Sequence, residues 1–583
     1  MARPIRTAAG LLVLAAIAAA PADGPKLGET FQAAVARAAK DAEAIEKVAD
    51  RATALAKTGN ARALAGDNQA ARADLRKASE AATTIDDPGA RADAFTTIGL
   101  GLSRAGDKES AQAAFREAAR AGDASDGPMN GAGKLADVAL AQARGGDKAA
   151  ARETFAEAFR RARAIEPEKQ VSPLRTFALS RVFEDHLKAG FVAESLRMAE
   201  ETKLLQDQFG TTSLLGDLER ALTFVGRDDR RRIVAWVHEQ ADAMKGGTGI
   251  FDRNPRRDDI VIWIARAEAG IGDFDAAARA AESIGEDEAD AWRLEALTAI
   301  EDARARVGDK VIARDHLRDL FNRAYQPNGR SASHQRILEM VRAQVHADDL
   351  DGAERTASAL ADEDNMTFVG PPKADDDELV KQSREADRLR LRLDRARALV
   401  LVAGAKAARG DAEGARQGLR QATDVAESSK GGGHGSFEVW SEIVAARARA
   451  GDLDGADKAA AAAAAAIDAF LKEAPKPDGQ VAEEGQGELS KAVILIQAID
   501  LLLKADDRAT ALRLIDADTT GYLLPNRMGA VAVSHARAGD VENALKLVDR
   551  LTGPALRASA LLAIAEAVTD PSPNEQGREK KAP

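Results

Sequence analysis

Five arginines share one position relative to a recurring glycine. Arg104, Arg144, Arg306, Arg449 and Arg537 each stand two residues before it. A guanidinium stays charged at physiological pH and offers a carboxylate two parallel N–H donors. A row of them would grip acidic side chains or a peptide C-terminus. A second set, Arg91, Arg175, Arg293 and Arg395, stands fifteen residues before such a glycine, at the start of the first helix. Each set also has a plainer use. A cation at a helix C-terminus complements the dipole by about 0.3–1 kcal/mol, and an exposed salt bridge to a preceding helix pair adds little.

The other chemistry-bearing residues form no constellation. His186, His238, His316, His334, His346, His434 and His535 are scattered, with no H-E-x-x-H pair or other compact ligand spacing. "HADD" at 346–349 sets an imidazole beside two carboxylates, but in a turn, where capping is their ordinary use. "GGGHG" around His434 lacks the strand-then-helix frame and the Lys-Ser/Thr of a phosphate loop, and reads as a linker. No G-x-S-x-G elbow occurs. The absence of cysteine removes disulfides, thiolate nucleophiles and Cys-based metal sites. Arg409-Gly410-Asp411 spells an adhesion tripeptide, yet it is also the ordinary turn of the repeat described next. No catalytic set, metal or cofactor is expected.

What positions the arginines is a repeated Gly-Asp pair. It recurs at Gly66-Asp67, Gly106-Asp107, Gly146-Asp147, Gly272-Asp273, Gly308-Asp309, Gly410-Asp411, Gly451-Asp452 and Gly539-Asp540. Weaker echoes lie at Ala189-Gly190, Gly226-Arg227, Asp348-Asp349 and Asp506-Asp507. Neighbouring pairs lie 36 to 41 residues apart where the series is unbroken, the range of helical solenoids. Glycine can end one helix in the left-handed conformation, and the aspartate can cap the N–H groups of the next. Five residues after the glycine comes Ala, as in Ala71, Ala111, Ala151 and Ala313. Nine after it stands a larger residue such as Leu75, Phe115, Phe155 or Leu317, and twelve after it Ala78, Ala118, Ala158 or Ala422. These positions share one helical face, so each second helix buries a small–large–small stripe.

This pattern resembles the tetratricopeptide repeat. Gly99, Gly106, Ala111, Phe115 and Ala118 match it in one unit, and Ala139, Gly146, Ala151, Phe155 and Ala158 in the next. The family's first-helix tryptophan is in register once, as Trp440, and the period is nearer forty than the usual thirty-four. The resemblance implies an all-α fold, a right-handed α-α superhelix of about 10–12 helical hairpins. First-helix rows of such stacks line a concave groove.

The arrangement expected along the chain is a signal peptide at 1–22, a TPR-like solenoid at 23–569 and a disordered tail at 570–583. Arg3 and Arg6 precede an apolar stretch from Leu11 to Ala20, which ends in the A-x-A pattern Ala20-Pro21-Ala22. Loops rich in Gly, Pro and charge are expected at 245–259, 363–388, 430–436 and 474–488. "AVILIQAIDLLL" (492–503) contains Gln497 and Asp500 and reads as a buried helix rather than a membrane segment.

Composition narrows the function. A formal net charge of −12 lacks the footprint of a nucleic-acid binder. The expectation is an exported, non-enzymatic binding or assembly scaffold of a bacterial envelope, periplasmic or secreted. Its partner would be a protein or peptide, acidic where the arginine row is the site, with no nucleic acid and no integral membrane segment. The alternative is an extracytoplasmic enzyme whose hairpins close into a toroid around a polysaccharide cleft. An aromatic content of 4%, with Tyr325 and Tyr522 the only tyrosines, counts against it.

Overall fold

A computed structural model describes residues 28–569 apart from 126–127, 166–172, 204–207, 244–254, 285–289, 325–333, 361–377, 430–433, 474–485 and 517–523. The described residues form 26 helices and no strand. The fold is therefore an all-α repeat, as the spacing requires. The segments expected as signal (1–22) and tail (570–583) lie outside the described residues.

Each turn is built as its Gly-Asp pair predicts. The glycines from Gly66 to Gly539 hold φ between 76° and 104°, a region open to glycine at no steric cost. The aspartate that follows accepts the N–H of the third residue on: Asp67 from Ala70 at 3.2 Å, Asp107 from Ser110 at 3.2 Å and Asp147 from Ala150 at 3.1 Å. A cap of this kind contributes about 1 kcal/mol. Two of the weaker echoes fold identically, with Asp348 (φ 65°) and Asp506 (φ 60°) in the glycine's place.

The stripe after each turn is buried. Ala71, Leu75 and Ala78, then Ala111, Phe115 and Ala118, then Ala151, Phe155 and Ala158 all lie in the core. Leu75 and Phe115 each face a glycine sixteen positions earlier on the first helix. A Cβ added to Gly59 would lie 2.6 Å from Leu75 Cγ, and one added to Gly99 2.6 Å from the Phe115 ring. Missing side-chain volume in the first helix is what lets the pair close.

The described chain divides into two compact units, one of residues 28–191 and 528–569, the other of residues 192–527. In the first unit the first and last described helices meet. Glu29–Glu43 packs on Pro554–Thr569, and both pack on Val48–Leu64. Ala558 shares one buried cluster with Ala42, Ala54 and Leu55. The second unit holds the first helices Pro255–Ile271, Asp290–Arg306, His334–His346, Glu378–Ala408, His434–Arg449 and Gln486–Lys504, joined by neighbour-to-neighbour packing.

Four loop expectations are corrected at their C-terminal ends. Residues 255–259, 378–388, 434–436 and 486–488 already belong to the helices just named. Pro255 suits a first helical position, and "ELVKQSREADR" is rich in helix formers, so charge and polarity there marked a solvated helix face. "AVILIQAIDLLL" lies in Gln486–Lys504 with Ile494, Leu495, Ile499 and Leu502 buried. No helix of the described residues is long and apolar enough to cross a membrane.

Candidate functional site

The five arginines two residues before the turns fall into different surroundings. Arg104, largely buried, donates to Asn60 Oδ1 and to Glu566 Oε1, each at 3.1 Å. Arg144 and Arg537 are exposed in the same unit. In the second unit Arg306 pairs with Asp302 at 2.6 Å, while Arg449 donates to the Leu501 carbonyl at 3.2 Å and lies 3.7 Å from Asp507. The substituted turns extend the row. Counted from Asp348 and Asp506, the same position is held by His346 and Lys504, and counted from Gly190 by Lys188. His346 Nδ1 lies 2.5 Å from Asp302 Oδ1. Where a side chain from outside its own helix engages this row, as at Arg104, His346 and Arg449, the partners include a carboxylate.

The arginines fifteen before the turns include a structural device. Arg91 donates to the Ile85 carbonyl six residues back at 3.2 Å. Arg51, which the sequence reading passed over at the same register, does so to Ile45 at 2.8 Å. Arg395 instead lines a cleft of about 580 Å³ with Glu354 and Lys406.

In the second unit two grooves run along the first helices and share Arg342. One, about 510 Å³, is lined by Arg266, Asp302, Arg306, Glu339 and Arg342 among others. The other, about 750 Å³, has an apolar floor that includes Val345, Val400, Leu401 and Leu419. Its charged lining is four cations, Arg342, Arg397, Arg449 and Lys504, against two carboxylates, Glu442 and Asp507. Arg397 is committed to Glu438 and Glu442. Arg342 and Lys504 are exposed and make no ion pair among the described residues.

Burial acts on the acids of these grooves. It pushes the Glu442 carboxyl above its usual range, with Arg397 and Arg342 pulling it back, and Glu339 behaves alike against Arg266. Arg266 bridges Glu295 at 2.8 Å and Glu339 at 3.5 Å, and Arg336 lies 3.4 Å from Glu295 and over the Trp292 ring. These acids are thus spent on fixed neighbours, and the net surplus at the larger groove is cationic.

The other sequence candidates are absorbed into turns. In "HADD", His346 meets Asp302, Arg409 meets Asp348, and Asp349 caps Gly352 while holding Arg318 at 3.1 Å. In Arg409-Gly410-Asp411, Gly410 has φ 85° and Asp411 accepts the Gly414 N–H at 2.9 Å. Among the described residues no group of three acidic or histidine side chains is placed to hold a metal ion. The reading of the strong turns alone missed Arg342, Arg397 and Lys504. Placing Asp506 in the glycine's position would have shown Lys504.

No protein-family model and no curated protein matches the chain. Among solved structures it is similar to Ton1535 from Thermococcus onnurineus NA1, at 14% identity over 71% of this chain and 98% of that one, with a TM-score of 0.27. It is similar to a circular tandem repeat protein of novel repeat topology at 14% identity, 94% and 99% coverage and a TM-score of 0.17. A third is the pentatricopeptide repeat protein PPR10 in complex with an 18-nucleotide RNA element, at 12% identity, 94% and 88% coverage and a TM-score of 0.22. Likenesses this weak carry no argument about function.

Proposed function

We propose that the protein is an exported, non-enzymatic scaffold of TPR-like repeats that binds an acidic segment of a protein partner. The observation that carries this is the larger groove of the second unit, where exposed Arg342 and Lys504 flank an apolar floor and make no close ion pair among the described residues, Glu442 and Glu339 acting on Arg342 only at longer range. Such a surface is complementary to a segment with apolar residues on one side and carboxylates beside them. The pairing of His346 with Asp302 and of Arg449 with Asp507 supports carboxylate as the preferred counter-group. Export rests on Arg3, Arg6 and the apolar stretch after them.

The test uses a fluorescent acidic amphipathic peptide and a single-stranded RNA oligomer of matched length, followed by anisotropy on the full chain. The peptide is expected to bind, and the Arg342→Glu/Lys504→Glu variant, shown folded by circular dichroism, to lose roughly tenfold or more in affinity. Equal affinity for wild type and variant would remove the groove as the site. RNA binding tighter than peptide binding would overturn the protein-partner reading.

A further inference from the structure

Ordinary hairpins of this chain are closed covalently, by a turn of a few residues between their two helices. One is not. Glu29–Glu43 takes the place of a second helix, preceding Val48–Leu64 in the stack, and its first helix is Pro554–Thr569. No turn ties this pair, because its members lie more than five hundred residues apart, as the Asp41–Arg557 separation of 516 shows.

Packing and a small set of polar contacts hold the seam. Arg557 donates to Asp41 Oδ2 at 2.6 Å and to its own helix entry at Leu551 O, 3.3 Å away. Lys57 donates to Ser559 Oγ at 2.7 Å, and beside the seam Arg37 lies 3.4 Å from Asp549, on the preceding helix Val541–Asp549. Ala558 inserts into the cluster of Ala42, Ala54 and Leu55. All of these groups belong to one sequence, so a second copy presents the same donor helix and the same acceptor face.

We propose that Pro554–Thr569 is an exchangeable closing helix, and that the face formed by Glu29–Glu43 and Val48–Leu64 accepts it from a second copy of this chain as well as from its own. The partner is thus the chain itself, in a reciprocal two-fold exchange. An open seam leaves apolar surface on both the helix and its acceptor face, and this helix brings Ala558 to the alanine-lined cleft and Arg557 to the Asp41 carboxylate. The inference is independent of the groove in the second unit.

A charge swap tests it. Arg557→Glu sets two acids against each other across the seam, and Asp41→Arg sets two bases. Within either variant the seam is repulsive, but in an exchanged pair of one chain of each kind both seams join opposite charges. Each variant alone is expected to run as a monomer by light scattering. Mixed in equal amounts, at least roughly half of the protein should appear at twice the monomer mass. The Arg557→Glu/Asp41→Arg double variant should return to a monomer with wild-type protection of residues 29–43 and 554–569 in hydrogen exchange. A mixture that stays monomeric while both single variants lose that protection would overturn exchange. Single variants with unchanged protection would overturn the seam pair itself. If either variant fails to fold, Lys57→Cys and Ser559→Cys placed in separate, otherwise cysteine-free chains give the same answer with a short bismaleimide. A cross-link between the two chains supports the exchange, and its absence, where the double-cysteine chain cross-links internally, overturns it.

Discussion

Arg409 reaches from its own turn to hold Asp348, which sits at φ 65° where other turns place glycine. The guanidinium takes the Asp348 carbonyl at 2.7 Å as well as its carboxylate. The left-handed conformation costs an ordinary L-residue about 1–2 kcal/mol, and aspartate tolerates it better than most. The exposed ion pair returns at most about 1 kcal/mol. Asp348→Gly should therefore hold or raise stability, since the carbonyl contact survives. Asp348→Ala should lower it by about 1 kcal/mol. Urea denaturation of the two variants checks the sign, and equal losses for both would show that the carboxylate matters more than the backbone.

Gly99 and Phe115 make a second test of the close helix pair. Alanine at position 99 gains about 1 kcal/mol of helix propensity, but its Cβ would lie 2.6 Å from the Phe115 ring. Overpacking of this kind costs typically 1–3 kcal/mol. Gly99→Ala should thus be neutral to destabilising by about 2 kcal/mol, and Gly99→Ala/Phe115→Leu less so than the sum of the two single changes. Additive losses in a thermal melt would mean that the helices part without repacking.

Much of this was legible in the sequence because the signals are local. Gly106-Asp107 announces a left-handed residue followed by a cap, and both form within a few residues of chain. Ala111, Phe115 and Ala118 announce a buried stripe for the same reason. The groove was less legible. Which member of the arginine row stays available depends on carboxylates from other helices and turns, such as Glu566 for Arg104 and Asp507 for Arg449, at sequence distances no spacing rule reaches. The seam left no mark at all, since nothing in "PALRASALLAIAEAVT" says that its neighbour is the helix at 29–43.

Asp185 carries a pH dependence whose sign follows from burial. Its side chain is 1% exposed, with Arg181 Nε at 3.1 Å and Lys188 Nζ at 3.4 Å. Burial still pushes its carboxyl above the usual range, the two cations only partly opposing it. The folded state then holds the proton more tightly than the unfolded chain. Stability from this group is present below the unfolded value and is lost as pH rises through the raised folded one. The stability of the wild type minus that of Asp185→Asn should fall as pH climbs from about 3 through the mildly acid range. Chemical denaturation at several pH values measures it, and a difference that grows with pH would show that the cations outweigh burial.

Ala408 is a gap in the cation row of the second unit. It stands two residues before Gly410, exposed, on the lining of the groove that also holds Arg449 and Lys504. His346 and Arg449 hold the same register on the flanking first helices. If register decides what a position does, a cation placed here joins the row without disturbing the core. Ala408→Lys should tighten binding of the acidic amphipathic peptide by about two- to fivefold at low salt, with most of the gain gone at high salt. Lys at position 417, on the second helix and the opposite cleft, should leave affinity unchanged. Anisotropy titrations of Ala408→Lys and Gln417→Lys at two ionic strengths decide it. An equal gain at both positions would reduce the row to general electrostatics, whereas a gain confined to Ala408→Lys ties recognition to the repeat's own spacing.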